Sequence, residues 1–176
     1  SFTDPFFAYH HINAWESADG SYVTMDIAAY AVSLSFLSLS LFAASLTPHH
    51  HTTTPPRLRY PDNTHMHETF KLDTLLNNTE PIVSGHYRRL TVATAAGSTE
   101  NVTVGILGNH SFDLPKINDA WYGSKNRWVF ATGDNQAGDW WNTLVKLDAR
   151  DGSVAEEWKK PHHWPTEPVF VPRPGS

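Results

Sequence analysis

Two histidines stand side by side in Phe6–Glu16, FFAYHHINAWE, with aromatics before them and an Asn and a Glu behind. Imidazole titrates near neutrality and is the commonest metal ligand, so His10 and His11 are the first candidates for chemistry. Neighbouring side chains on an extended chain point to opposite faces. One of the pair can therefore serve a site that the other cannot reach. By residue type alone, a polar interruption in a strand edge, with His10 an ordinary half-buried histidine, is the better explanation of the pair.

The remaining histidine clusters make weaker candidates. His49, His50 and His51 lie in TPHHHTTTPPR, a Pro-rich stretch of low complexity that reads as an exposed linker, where adjacent side chains diverge. His65 and His67 alternate onto one strand face, and His162 and His163 precede Trp164. Two carboxylates sit in islands dense in Pro, Gly and aromatics: Asp113 in FDLPKINDAWYGSKNRWVFATG and Glu167 in WPTEPVFVPRPG. A ligating histidine usually donates its second N–H to such a carboxylate, which fixes the ring and raises its basicity. Solvated loop acids are the alternative. Trp140, Trp141, Trp158 and Trp164 could line an apolar tunnel, although tryptophan more often serves packing.

The elements that must position these groups read as strands. SYVTMDIAAY follows an Asp19-Gly20 turn signal and is predicted to leave a hairpin. FKLDTL, YRRLTVATA, NVTVGILG and NRWVFATG are further short candidates separated by Asn, Gly, Ser and Thr. TLVKLDARDGSVAEEW has a hairpin shape with Asp151-Gly152 in its turn. Recurring strands of this kind suit the four-stranded antiparallel blade of a propeller, a unit of about 40 to 50 residues. Any all-β sandwich or barrel would share much of the pattern.

Composition narrows the partners. With 176 residues, 40% of them hydrophobic, the chain can bury a sizeable core. A net charge of -5 without clustered Lys or Arg argues against nucleic acid, whose binding rests on basic neutralisation of phosphates. The absence of cysteine excludes disulfides and thiolate metal sites and fits a reducing, cytoplasmic compartment. From Ile27 to Thr47 there is no charge, and AVSLSFLSLSLFAASL is long enough for a membrane span. Its serines, the lack of a basic flank and the partial Leu/Ser alternation favour buried apolar structure, or a surface that dips into a bilayer. Sequons occur at Asn77, Asn101 and Asn109, a pattern that also arises by chance. The chain opens at Ser1 without an initiating Met and ends on VFVPRPGS, and it reads as a piece of a longer protein.

PFFAYHHINAWE, the FDLP island and the EPVFV island, in this order, resemble the carotenoid cleavage oxygenase family, which includes β-carotene dioxygenases and a retinoid isomerohydrolase. The likeness covers roughly Ser1 to Tyr30 and Arg57 to Ser176, so residues 1–176 read as part of one propeller domain, with 31–56 an insert-like segment that follows the pattern poorly. The resemblance implies an all-β fold, an arc of about three or four blades of a seven-bladed propeller. It implies a non-haem Fe(II) held by four histidines, of which His10 would be one, with His11 on the other strand face. Asp113 and Glu167 would be the carboxylates behind ligand histidines, Glu167 serving a histidine outside this chain. Asp113 stands where the family has glutamate and is shorter by one methylene, about 1.5 Å of reach. Contact with His10 then calls for a backbone shift or a water. The implied activity is cleavage of a carotenoid double bond with O₂, in a cytoplasmic protein with possible peripheral membrane contact. Retinoid isomerohydrolase chemistry on the same fold, or an inactive truncated product, are the alternatives.

Overall fold

The computed structural model describes residues 6–31, 85–94, 102–133 and 141–174. These form seven strands: β1 (Phe6–Glu16), β2 (Tyr22–Ala31), β3 (Gly85–Ala93), β4 (Val102–Lys116), β5 (Trp128–Gly133), β6 (Thr143–Asp148) and β7 (Val154–Lys159). A single 3-10 turn, Asp119–Trp121, is the helical element among the described residues. The strands hydrogen-bond in sequence order as one open sheet, and β2 through β7 pair antiparallel. The site and the sheet, apart from Phe6, Phe7 and Ala31 at the ends of β1 and β2, lie in one compact unit.

Sequence-order pairing follows from short turns. Between β1 and β2, Gly20 takes a φ of 68° that a side chain would resist, and Asp19 Oδ1 accepts from Ser17 Oγ at 2.6 Å and Ser21 Oγ at 2.7 Å. Those donors, Ser17 first, lower the Asp19 carboxyl to about 2. The predicted Asp151-Gly152 turn joins β6 to β7. There Gly152, at φ 73°, crosses β4 so closely that a Cβ would lie 2.3 Å from Leu107 O.

β4 is the pivot of the sheet. It pairs with β3 along most of its length, from Val102 opposite Val92 to Phe112 opposite Gly85, and its last part also pairs with β5, Phe112 opposite Gly133 and Asp113 opposite Thr132. This strand of 15 residues thus lies in the middle of the sheet, with three strands on either side. The sequence reading of NVTVGILG as a short strand stops too early, because Gly108, at φ 63°, bends β4 without ending it.

Ile12, Ala28, Tyr87, Phe112, Ile117, Val129, Ala131, Val145 and Leu147 make one core, drawn from β1 through β6. Phe112, Val129 and Leu147 are fully buried, each worth about 1.5–3 kcal/mol of apolar transfer. A polar clamp crosses this core: buried Asp26 on β2 receives Tyr87 Oη at 2.6 Å and Arg89 Nε and Nη2 at 2.7 Å each. Arg89 Nη2 also donates to Ala149 O at 2.8 Å, and its guanidinium lies 5.2 Å from the Trp15 ring centre. Burial first, then the Asp26 charge, push the Tyr87 phenol far above its ordinary range.

FKLDTL, the His49–His51 run, His65, His67, Asn77, Asn101, Trp140 and all of the insert-like segment 31–56 beyond Ala31 lie outside the described residues. Among the described residues no helix is long and apolar enough to cross a membrane.

Candidate metal centre

His10 and Asp113 come together. His10 Nδ1 lies 2.8 Å from Asp113 Oδ1, with the carboxylate 1% exposed and the imidazole 43% exposed. Asp113 needs no bridging water. The ladder between β4 and β5 slips between Asp113 and Lys116, and Leu114 sits at φ 50°, a left-handed conformation unusual for a branched residue. The direct contact is thus made beside a local irregularity of β4.

The carboxylate is held on every side. Leu114 N donates to Oδ1 at 2.8 Å, Tyr30 Oη donates to Oδ2, and Thr132 Oγ1 donates to the Asp113 carbonyl at 3.0 Å. With Asp113 Oδ1 as acceptor, the ring proton of His10 sits on Nδ1 and the Nε2 lone pair faces away from the carboxylate. That tautomer suits a ligand through Nε2. Nε2 of His10 then has the chemistry of a nitrogen donor to a metal ion. No group of three or more His, Asp or Glu that could hold a metal occurs among the described residues.

His11 is exposed, on the strand face opposite His10. Glu167 does not join His10 and Asp113; it is exposed in an irregular segment that follows β7. That segment is anchored by Phe170, whose ring lies 5.5 Å from Phe130, while Val169 and Val171 stand 81% and 78% exposed. His163 hydrogen-bonds Pro161 O at 2.8 Å in an exposed turn. Trp158 and Trp164 are exposed, at 44% and 57%, and do not pack a core. A shallow groove of about 250 Å³ runs between Phe130, Leu144, Lys146, Glu156, Trp158 and Pro168, and neither His10 nor Asp113 lines it.

Two residues of the site escaped the sequence reading. Tyr30 ends the predicted strand SYVTMDIAAY, yet nothing local marks it, because its partner Asp113 is 83 positions away. Asn13 was visible in the His-His-Ile-Asn run but had no assigned task. Its Nδ2 donates to Ser124 O at 2.7 Å, Asn126 Oδ1 at 2.8 Å and Trp121 O at 3.2 Å, and its Oδ1 accepts from Gly123 N at 3.2 Å. Buried Asn13 thus staples the β4–β5 connection to the histidine strand.

Residues 1–176 match the family described as Retinal pigment epithelial membrane protein, and the chain belongs to that family. Human beta,beta-carotene 15,15'-dioxygenase is 28% identical over 99% of this chain and 30% of its own length. Carotenoid cleavage dioxygenase 8 of Arabidopsis thaliana, chloroplastic, is 32% identical over 46% of this chain and 14% of its own. The chain thus spans about a third of the human relative. The crystal structure of cobalt-substituted Synechocystis ACO superposes with a TM-score of 0.63 at 20% identity, covering 97% of this chain and 28% of that one. The fold is that of the carotenoid oxygenase propeller, present here as an open sheet.

Proposed function

We propose that this chain is part of a non-haem iron oxygenase that splits a carbon–carbon double bond of a carotenoid with O₂, giving apocarotenal or retinal products. The observation that carries this reading is the His10–Asp113 hydrogen bond, which leaves Nε2 of His10 as a metal-binding nitrogen. The relatives named as β-carotene dioxygenases support cleavage over retinoid isomerisation. A ferrous ion, when bound, supplies O₂ activation beside the polyene. His10 contributes one neutral ligand, Asp113 holds its ring, and Tyr30 and Leu114 N hold Asp113.

Glu167 is assigned the same task as Asp113, toward a histidine outside this chain. The polyene partner and peripheral contact with a membrane in the cytoplasm complete the reading. Of the four-histidine set, His10 is the one ligand that the family motif marks in this chain, and the 176 residues by themselves are expected to be inactive, since affinity depends on ligand number and geometry.

The test is expression of the intact protein containing this chain in bacteria that accumulate β-carotene. Loss of colour with matching aldehyde products is the expected result. Undiminished pigment together with conversion of a retinyl ester to an isomerised retinol would replace cleavage by isomerohydrolase chemistry.

A further inference from the structure

The site extends one residue deeper than the pair that the sequence marks. Tyr30 is 4% exposed, and its hydroxyl donates to Asp113 Oδ2, the oxygen that His10 and Leu114 leave unused. Oδ1 is already engaged twice, by His10 Nδ1 and Leu114 N at 2.8 Å each. A carboxylate held by donors on both oxygens has its plane fixed, whereas one held on a single oxygen can swing about its Cβ–Cγ bond.

The surroundings fix Tyr30 in turn. The Tyr9 ring meets it edge-on, centroids 5.5 Å apart at 89°, and Tyr9 directly precedes His10 in β1. β3 lies between β2 and β4. At the end where Tyr30 and Asp113 sit it carries buried Gly85, where an added Cβ would lie 3.0 Å from Phe112 O and 3.2 Å from Ala28 Cβ.

We infer that Tyr30 is a positioning residue: by holding Oδ2 of Asp113 it aims Oδ1 at His10 Nδ1 and so fixes the tautomer and direction of the metal-binding imidazole. The inference rests on the reading of His10 as a ligand. In this reading Tyr30 is not itself a ligand, and its hydroxyl acts on His10 through Asp113.

The test uses the intact protein and the conservative Tyr30→Phe variant, which keeps the ring against Tyr9. With cobalt(II) as the probe, Tyr30→Phe should weaken the metal Kd about 3- to 10-fold, less than the 10- to 100-fold typical of losing a direct partner. In an Asp113→Ala background the same change should add less than about twofold, because the route through the carboxylate is gone. In metal-free protein with ¹⁵N-labelled histidine, wild-type His10 should show one Nδ1–H tautomer. Tyr30→Phe should shift it toward Nε2–H, with His11 unchanged.

Unchanged His10 signals in Tyr30→Phe, or an equal loss of cobalt affinity in both backgrounds, would overturn the inference. A His10→Ala variant that binds cobalt as wild type does would instead remove the ligand reading, and the tautomer measurement would then decide the Tyr30–Asp113–His10 chain by itself.

Discussion

His10 on β1 and Asp113 on β4 meet at 2.8 Å across 103 positions of sequence, the imidazole near the surface and the carboxylate fully enclosed. The pair is built from the buried side outward. Removing Asp113 therefore costs more than one hydrogen bond: Asp113→Ala leaves the Tyr30 hydroxyl and the Leu114 N–H without an acceptor. A loss of about 2–5 kcal/mol is expected, read from the urea midpoint. A variant within 0.5 kcal/mol of wild type, an estimate on the scale of ordinary surface changes, would mean that the network is dispensable.

Asn13 offers a sharper test of the loop. Asn13→Asp is isosteric but replaces two N–H donors by a lone-pair oxygen facing Ser124 O, Trp121 O and Asn126 Oδ1. The expected cost is about 1–3 kcal/mol, with faster amide exchange confined to residues 118–126. Uniform loosening of the whole sheet would contradict the local role.

The Asp26 clamp predicts a ranking. Asp26→Ala strands Arg89, 21% exposed, and the Tyr87 hydroxyl without their shared acceptor, and should cost about 3–5 kcal/mol. Tyr87→Phe removes one hydroxyl and should cost about 1 kcal/mol. Denaturant midpoints of the two variants in the reverse order would refute the clamp.

Asp148 sets an acid dependence. Hydrogen bonds from Arg150 first, with Arg127 adding to them, hold its folded carboxyl well below the ordinary Asp value of about 3.9. A depressed folded pKa stabilises the fold above the unfolded value, and that stability is lost as pH falls from about 4 toward the folded value. Both arginines are more than half exposed, so salt should weaken the effect. Asp148→Asn should flatten the fall in urea midpoint between about pH 4 and 2. An unchanged slope would remove Asp148 from the acid response.

Much of this was legible in the sequence because it is local. The Asp19-Gly20 and Asp151-Gly152 turns fix their hairpins through nearby side-chain hydrogen bonds, and β5 and β6 show the β-branched and aromatic content of buried strands. His10 was singled out by its motif, and His11 by strand alternation. What stayed hidden is non-local or structural in a strict sense. Tyr30 has no signal until β2 and β4 are brought to the same end of the sheet. The register shift beside Asp113 and the left-handed Leu114 are favoured by no local propensity. β4 runs on past Gly108, at φ 63°, where the text reads as a strand end.

The central claim is that His10, and not its neighbour, carries the metal. The direct measurement is iron content per chain of the intact protein purified anaerobically, for wild type, His10→Ala and His11→Ala. Wild type and His11→Ala should retain ferrous ion in equal amounts, while His10→Ala should lose it. Equal iron in wild type and His10→Ala would contradict the account.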